Sequence, residues 1–202
     1  MVKLDIGCGP NKKEGFLGVD KYAFDGKVDV VLDVVARKIE AFGPIRLEAS
    51  GYVQESRPAG FKPWPWEDGS VEEVHSSHFL EHLTQDERCH FMNELHRVLK
   101  KDGKATIIVP HWASNRAYGD PTHKWPAISE MFFWYLDKGW RATNAPHTDK
   151  SKWPQGYDCD FGFVVGYGMH QSLAVKNVEF QQFAMQFYKE AVQDTHATLT
   201  KR

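Results

Sequence analysis

Two glycines and a carboxylate near the start of the chain have the types and spacing to bind a nucleoside. Gly7 and Gly9 follow a short apolar run that ends at Ile6, and Asp20 ends a second such run. Glycine lacks a Cβ atom, so a turn built on it can adopt positive φ and let a ligand lie against the backbone. A carboxylate at the end of the next strand can accept hydrogen bonds from both hydroxyls of a ribose. The sequence therefore predicts a nucleoside-binding edge where parallel strands end.

Histidines that follow predicted strands could accept a proton near neutral pH. His78 and His111 lie in or just after such strand ends, and His123 follows in the segment from Gly119 to Trp125. Asp120 could orient His123, although an Asp-Pro-Thr-His sequence also forms a turn in which the aspartate caps the backbone. These four residues are the catalytic candidates, and for each histidine a capping or packing role is the alternative.

Other histidines, acids and a cysteine in the carboxyl-terminal half could converge on a metal ion. None of them has a recognised zinc spacing such as Cys-x-x-Cys or His-Glu-x-x-His. We therefore expect no bound metal. The residues considered are His111, His123, His147, Asp158, Cys159, Asp160 and His170.

A parallel sheet and an amphipathic helix are expected to position these candidates. Short β-branched runs predict buried strands at Val28 to Asp33, Val71 to Ser77 and Ala105 to Pro110. Thr84 and Glu87 form a capping box for a helix whose apolar residues recur at helical spacing.

The carboxyl end of this helix is predicted from charge and glycine. Lys100 and Lys101 suit the end of the helix, and Gly103 suits its stop. His82 and His96 lie on predicted helices, where a structural role is expected.

Four phrases between Leu4 and Pro110 carry a resemblance to a known family. They are LDIGCGPN, FLGVD, PWEDGSVEEVHSSHFLEHL and ELHRVLKKDGKATIIVP, in this order. This part of the chain resembles a class I methyltransferase that uses S-adenosylmethionine, and GDPTHKW, from Gly119 to Trp125, resembles compact methyltransferases of bacteria and their phages. The resemblance implies an α/β fold with a Rossmann-like, seven-stranded class I methyltransferase sheet.

The resemblance also implies which residues surround the cofactor. Asp20 would hold the ribose hydroxyls and Asp33 would lie beside the adenine. Ser77 and His78 would face the sulfonium, and the residues around the glycine turn would surround the methionine part. The full set is Asp5, Gly7, Cys8, Gly9, Asn11, Asp20, Asp33, Ser77 and His78.

The connections between the first strands are short. Too few residues separate Gly9 from Asp20 for a crossover helix of the usual length, and the link from Asp20 to Val28 is equally short. We therefore expect abbreviated first crossovers. An insertion from Ala36 to Lys62 would form either a flap over the adenine or a surface loop, and the surface loop is favoured.

The chain is predicted to be a single domain, residues 1–202, in three parts. Residues 1–110 would bind the cofactor, and residues 111–160 would form an aromatic-rich acceptor cap. Residues 161–202 would close the sheet with strands and a helix.

Aromatic side chains are concentrated in the carboxyl-terminal half. Five of the seven tryptophans lie between His111 and His170, where they could stack on an acceptor or pack a small core of the cap. Trp112 and Trp125 are the better candidates for ligand contact. The last helix, predicted from Val178 to Val192, has an aromatic face that we expect to lie in the core.

Composition favours a soluble cytoplasmic protein. The 202 residues are 42% hydrophobic and carry a formal net charge of −2, which gives no general attraction to a phosphate backbone. No apolar run is long enough to span a membrane, and we expect no leader. The three cysteines, Cys8, Cys89 and Cys159, form no metal pair and suit a reducing compartment.

The leading hypothesis is an enzyme that transfers a methyl group from S-adenosylmethionine to an oxygen or nitrogen of a small-molecule or glycan-like acceptor. Methylation of DNA bases is disfavoured, because Ser76-Ser77-His78-Phe79 stands where that chemistry places Asp or Asn, Pro, Pro and an aromatic residue. RNA and protein acceptors stay open, as does the oligomeric state. The alternative is a degenerate methyltransferase fold that acts through a partner. A nicotinamide oxidoreductase lacks support because the third glycine of its motif is missing.

Overall fold

A seven-stranded sheet organises the chain, and the computed structural model describes residues 2–38, 46–48, 51–53 and 60–202. The strands are β1 (Val2–Ile6), β2 (Leu17–Asp20), β3 (Val30–Val31), β4 (Arg46–Glu48), β5 (Gly51–Val53), β6 (Val71–Ser77), β7 (Leu99–Pro110), β8 (Phe161–Met169) and β9 (Val192–Lys201). The sheet has the order β3-β2-β1-β6-β7-β9-β8, while β4 and β5 pair as a separate hairpin. Within the sheet, β9 is antiparallel to both neighbours and the other pairs are parallel. The predicted seven-stranded α/β sheet is confirmed.

Helices and short turns connect the strands. The helices are α1 (Gln85–Val98), α2 (Arg116–Gly119), α3 (Glu130–Trp134), α4 (Lys138–Asn144), α5 (Gln171–Ala174) and α6 (Val178–Phe187), and the 3-10 turns are Phe24–Gly26, Leu80–His82 and Pro146–Thr148. Within the described residues, every helix is too short or too polar to span a lipid bilayer.

The direction in which strands are added changes between β1 and β6. From β1 the chain adds β2 and then β3 on one side, and it later adds β6 and β7 on the other. In an open parallel sheet, a ligand binds at this switch point, beyond the carboxyl ends of the strands. Gly7, Asp20 and His78 lie at the ends of β1, β2 and β6, so the sheet brings predicted site residues to one edge.

Helix α1 packs against the sheet through the apolar face that its sequence predicts. Phe91 and Leu95 are fully buried in the main core, and burial of each such side chain stabilises the fold by about 1.5–3 kcal/mol. The predicted capping box is confirmed, since Glu87 accepts a hydrogen bond from Thr84 N at 2.7 Å.

The first two connections are short, as predicted. Residues 7–16 join β1 to β2 without a helix, and residues 21–29 join β2 to β3 with a single 3-10 turn. The carboxylate of Asp29 accepts hydrogen bonds from Gly18 N at 2.7 Å and from Lys12 Nζ at 2.8 Å. These contacts join the second connection to the first connection and to β2.

The two ends of the predicted insertion lie side by side. Lys38 N donates to Gly60 O at 2.9 Å, and Lys62 N donates to Ala36 O at 2.8 Å. The chain therefore leaves and rejoins the fold at one place. Whether the segment between these ends forms a surface loop or a flap lies outside the described residues.

The region after α1 differs from its prediction. Strand β7 begins at Leu99, directly after α1, so Lys100 and Lys101 belong to the strand and Gly103 does not stop the helix. Leu99 has extended backbone, is fully buried, and pairs with Val71 of β6. Burial of Leu99 in the core overrides the helical propensity of this run.

The last helix also differs from its prediction. Helix α6 ends well before Val192, and within it only Ala184 is buried. The helix packs through Ala184 on a small cluster with Leu173 and Ala191 that is separate from the main core. The prediction that its aromatic face lies in the core is therefore wrong. The exposed aromatic residues are Phe180, Phe183 and Phe187, at 43%, 49% and 66%.

A buried carboxylate joins α1 to the segment before β6. Glu94 accepts hydrogen bonds from Trp64 N at 2.6 Å and from Arg97 Nη2 at 2.7 Å. Burial alone would raise the pKa of Glu94, but the hydrogen bonds from Arg97 and Trp64 outweigh it and hold the pKa below its ordinary value of 4.5. The charged form of Glu94 therefore stabilises the fold.

We expect Glu94→Gln to lower the free energy of unfolding by about 1.5–3 kcal/mol at pH 7, because charge-assisted hydrogen bonds are lost. Since the folded pKa is the lower one, this contribution is complete above pH 4.5 and is lost as the pH falls through the folded value. Urea unfolding should show that the difference in free energy of unfolding between variant and parent is smaller in stronger acid than at pH 7. A difference in free energy of unfolding that does not change with pH would contradict the conclusion that the charge of Glu94 stabilises the fold.

Candidate functional site

The turn after β1 depends on its two glycines. Gly7 has a φ of 69° and Gly9 a φ of 52°. Gly7 N donates to Val19 O of β2 at 2.8 Å. A Cβ atom on Gly7 would overlap the ring of Phe79 and lie 2.7 Å from its Cβ. Apart from its two chain neighbours, no described residue has an atom within 4 Å of the same position on Gly9. The turn is therefore packed against Phe79 on one side and open on the other.

The carboxylate of Asp20 is held beside this turn by backbone hydrogen bonds. Oδ2 accepts from Gly9 N at 3.0 Å, and Oδ1 accepts from Tyr22 N at 3.0 Å. Each carboxylate oxygen has two lone pairs, so each keeps one for a ligand. Asp20 is only half-buried, which leaves these lone pairs accessible.

A cleft of about 590 Å³ lies beside the turn, at the switch point of the sheet. Four residues that the sequence places around a cofactor border it, namely Gly7, Asp20, Asp33 and His78. Apolar walls with a few polar groups are typical of small-ligand sites. The apolar side chains that border the cleft include Ile6, Val19, Leu32, Val34, Val35, Phe79 and Leu83.

Two aromatic residues that the sequence analysis missed also border the cleft. Tyr22 and Phe24 follow Asp20 in the short connection to β3, and their rings meet edge to face with centroids 6.0 Å apart. Exposed rings beside a carboxylate can stack on a planar base. Their position directly after Asp20 is the signal that could have identified them.

Asp5 lies beneath the turn and not among the residues that border the cleft. It is 3% exposed, accepts a hydrogen bond from Lys13 N at 2.7 Å, and lies 2.7 Å from His75 Nδ1. Its carboxylate holds the connection that follows β1. Any effect of Asp5 on a ligand would therefore pass through the backbone of the glycine turn.

The other predicted cofactor residues lie near the same edge. Cys8, Gly9, Asn11 and Ser77 are not among the described residues that border the cleft. Asn11 N donates to Cys8 O at 3.3 Å and closes the turn. Burial raises the pKa of the Cys8 thiol to about 11, so the thiol is neutral at pH 7. Ser77 ends β6, opposite Ile108 of β7.

A second cleft, of about 610 Å³, lies beyond the end of β7. It is bordered by three of the four catalytic candidates, His78, Asp120 and His123, together with Arg116. His78 borders the first cleft as well. The two clefts therefore meet at His78.

His78 has an unusual backbone conformation and acidic neighbours. Its φ is 53°, which is rare for a residue with a side chain. Its Nδ1 lies 3.3 Å from Glu81 Oε1, and its Nε2 lies 3.8 Å from Asp194 Oδ1. The Glu81 carboxylate raises the pKa of His78 against the opposing effect of burial.

Asp120 serves the local turn, which is the second of its two predicted roles. Its Oδ1 accepts hydrogen bonds from Thr122 N and Thr122 Oγ1, both at 2.7 Å, and these lower the pKa of Asp120. Its Oδ2 lies 3.8 Å from His123 Nε2, beyond hydrogen-bond distance. His123 is oriented instead by the carbonyl of Ala117, 3.2 Å from Nδ1.

The structure places His111 apart from the other three candidates. It is 3% exposed and borders a different cleft with Trp112, Glu130 and Tyr167. His111 Nδ1 accepts from Ala113 N at 3.2 Å, so its Nε2 carries the proton and donates to Glu130 at 3.0 Å. Both ring nitrogens are therefore engaged.

One group with metal-ligand chemistry occurs among the described residues. Glu81, His82 and His123 each offer a ligand atom, and these atoms lie within 4.8 Å of one another. Of the residues considered for a metal from the sequence, this group contains only His123. The helical pattern around His82 favoured a structural role, and no spacing motif connects it to His123.

Comparison with known proteins identifies a family match. The profile of the methyltransferase domain family matches residues 4–107, about half of the chain. A search of curated proteins finds no match.

Three solved structures of methyltransferases are similar to this chain. A SAM dependent methyltransferase from Archaeoglobus fulgidus is 18% identical, with a TM-score of 0.52 over 99% of this chain and 85% of that chain. Geranyl diphosphate C-methyltransferase from Streptomyces coelicolor A3(2) is 13% identical, with a TM-score of 0.49 over 100% of this chain and 71% of that chain. A Burkholderia thailandensis 1,6-didemethyltoxoflavin-N1-methyltransferase is 14% identical, with a TM-score of 0.47 over 99% of this chain and 70% of that chain. The first of these shows the fold.

We expect Gly7→Ala to destabilise the protein by about 1–3 kcal/mol more than Gly9→Ala. Both variants place a side chain at positive φ, but only a Cβ on Gly7 would overlap Phe79. Thermal or urea unfolding of the two variants measures the loss of stability in each. The loss in Gly9→Ala reports backbone strain, and the additional loss in Gly7→Ala reports the overlap with Phe79. Equal losses would show that the Phe79 contact does not shape the turn.

Proposed function

The chain belongs to the methyltransferase domain family as a class I, S-adenosylmethionine-dependent enzyme, and from this premise we propose that its acceptor is a small-molecule or glycan-like compound, methylated on oxygen or nitrogen. The observation that carries the proposal is the meeting of two clefts at His78. A methyl donor and its acceptor need two spaces that open onto each other. The cleft that Gly7 and Asp20 border would hold the donor, and the cleft that Asp120 and His123 border would hold the acceptor.

The residues of the first cleft suit S-adenosylmethionine. Asp20 would accept hydrogen bonds from the ribose hydroxyls, since each of its oxygens keeps a lone pair beyond its backbone contact. Asp33 and the ring of Tyr22 would lie beside the adenine. The methionine part would lie along the glycine turn, of which Gly7 borders the cleft.

Positioning is the main contribution that the protein makes to methyl transfer. The cofactor supplies a methyl group on a sulfonium, and the sulfur–carbon bond breaks as a bond from the acceptor oxygen or nitrogen forms. Holding the reacting groups in line can contribute effective molarities of about 10⁵–10⁸ M. His78 lies where the clefts meet and is the proposed acceptor of the proton that the attacking group loses.

Size and charge favour a small acceptor. The second cleft is a small, open depression that seven described residues border. Arg116, which borders it, is already paired with Asp194 at 2.9 Å, and the formal net charge is −2, so phosphate-rich nucleic acid is a poor match. The proposal retains the three-part division of a single domain, with residues 111–160 as the acceptor cap, and a cytoplasmic location.

We expect S-adenosylhomocysteine to stabilise the protein and Asp20→Ala to abolish this effect. Ligand at about 100 times its dissociation constant adds about 2.7 kcal/mol, which raises the unfolding midpoint by about 5–10 °C for a chain of this size. Thermal unfolding with and without S-adenosylhomocysteine measures the shift.

The matched control for this experiment is Asp29→Ala. Asp29 also accepts a backbone hydrogen bond, from Gly18 N, but it is not among the residues that border the cleft. This variant should lose some stability and keep the shift with S-adenosylhomocysteine. A normal shift in Asp20→Ala would overturn the assignment of the ribose site.

We expect the protein to release S-adenosylhomocysteine when S-adenosylmethionine is mixed with small hydroxylated or aminated compounds, and His78→Gln to slow this release by about 10²–10⁴. A panel of phenols, amines and sugars, with RNA and an unrelated protein as comparisons, measures the acceptor class. Turnover on RNA or protein alone would replace the proposed acceptor. Cofactor binding without turnover on any member of the panel would favour a degenerate binding module.

A further inference from the structure

A buried carboxylate between the two clefts has no hydrogen-bond partner. Glu81 is 5% exposed, and neither of its carboxylate oxygens receives a hydrogen bond from the described residues. His78 Nδ1 lies 3.3 Å from Oε1 but does not complete a hydrogen bond. His78 is therefore an incomplete partner, and a metal ion beside Glu81 would give the buried carboxylate the direct contact that its oxygens lack.

The buried arginine near Glu81 does not serve this purpose. Arg88 is 4% exposed, and its guanidinium donates to the backbone carbonyls of Leu80, Glu81, Lys124 and Pro126 at 2.8–3.4 Å. Its hydrogen bonds therefore go to carbonyl oxygens and not to the carboxylate of Glu81. They join the turn that carries Glu81 to the segment that follows His123.

The hydrogen bond between His82 and Thr122 determines which ring nitrogen of His82 keeps a lone pair for a ligand. Thr122 Oγ1 donates to Asp120 Oδ1 at 2.7 Å, so the same oxygen accepts from His82 Nδ1 at 3.0 Å. The proton of His82 therefore lies on Nδ1, and Nε2 has a free lone pair.

The same arrangement holds for His123. Its Nδ1 lies 3.2 Å from the carbonyl of Ala117, which can only accept, so Nδ1 carries the proton and Nε2 has the lone pair. A metal-binding histidine usually donates its other N–H to a carbonyl, carboxylate or similar group, which sets the tautomer and the ring orientation. Both histidines have this support without any metal present.

We propose that Glu81, His82 and His123 bind one divalent transition-metal ion. Their ligand atoms lie within 4.8 Å of one another, and the two imidazole rings meet edge to face with centroids 4.7 Å apart. The backbone holds the two segments together as well, since Lys124 N donates to Glu81 O at 2.8 Å. The site thus combines three converging ligand residues, a buried carboxylate without a completed hydrogen bond, and two histidines whose tautomers are set by their neighbours.

The chemistry of the ligands indicates the class of metal. Two imidazole nitrogens and one carboxylate are the ligand set of many zinc sites and of other first-row divalent metals. Mg²⁺ prefers oxygen ligands and octahedral geometry. We therefore expect Zn²⁺ and Co²⁺ to bind and Mg²⁺ to bind far more weakly.

The position of the site suggests how the metal would take part in catalysis. His82 borders the cofactor cleft, and His123 borders the acceptor cleft, so the ion would lie at their boundary. There it would act as a Lewis acid toward an acceptor oxygen or nitrogen, which favours acceptors that can coordinate a metal. This role rests on the proposed function, whereas metal binding does not, and it makes His123 a ligand and not a base.

Zinc titration of the chelator-treated protein, in competition with a chromophoric chelator, tests the proposal. We expect one Zn²⁺ per chain. Glu81→Gln, His82→Ala and His123→Ala should each weaken binding by at least about 10-fold, and Thr122→Val, which removes only the hydroxyl that supports His82, by about 10- to 100-fold. The visible spectrum of bound Co²⁺ should change in the same variants.

His170→Ala is the control for adventitious binding, because His170 is an exposed histidine outside this group. It should leave Zn²⁺ affinity unchanged. Absence of Zn²⁺ binding in the parent overturns the proposal, as does unchanged binding in both Glu81→Gln and His123→Ala.

Stabilisation by S-adenosylhomocysteine, measured on the same samples, separates the two proposals. A parent protein that binds Zn²⁺ but not S-adenosylhomocysteine supports the metal site and overturns the proposed function, and the reverse result overturns the metal site alone. A variant that no longer binds Zn²⁺ but is still stabilised by S-adenosylhomocysteine is folded. Its loss of Zn²⁺ binding therefore supports the assignment of the substituted residue as a metal ligand. If a ligand variant fails to fold, Thr122→Val is the variant that tests the proposal, since valine matches threonine in shape. Unchanged Zn²⁺ affinity in Thr122→Val overturns the proposal.

Discussion

The buried guanidinium of Arg88 holds together the walls of both clefts. It extends from α1 and donates to carbonyls of the turn after β6 and of the segment 124–126. A buried donor or acceptor left without its partner costs about 1–3 kcal/mol, so these two segments cannot separate cheaply. His78 and Glu81 lie on or beside the turn, and His123 precedes the segment. The relative position of the proposed catalytic and metal-binding side chains therefore depends in part on Arg88, which borders neither cleft.

The glycine turn after β1 and the carboxylate at the end of β2 could be predicted because their signals are local. A glycine at positive φ and a carboxylate at a strand end each leave a pattern within a few residues, as Gly7 and Asp20 do. The capping box of α1 is equally local. Short apolar runs identify buried strands, although the run from Val28 to Asp33 becomes only the two residues of β3, since sheet pairing and not propensity sets strand length.

The rest could not be predicted because it depends on contacts between distant residues. His82 and His123 are separated by two helices and a strand, and no spacing motif links them. The pattern of α6 defines an apolar face but does not specify what covers it, and here the face is exposed. Leu99 shows the opposite effect, in which burial overrides a helical sequence. Sequence periodicity specifies an element and its face, while packing decides its end and its neighbour.

The thiol of Cys8, beside the glycine turn, is protonated at neutral pH because burial raises its pKa to about 11. With a pKa of about 11, Cys8 is a thiolate in roughly one molecule in 10⁴ at pH 7. Burial likewise raises the pKa of Cys89 to about 11 and that of Cys159 to about 12. Because the thiolate is the species that peroxide and electrophiles attack, all three cysteines react slowly. The glycine turn can therefore contain a sulfur atom without becoming a redox sensor.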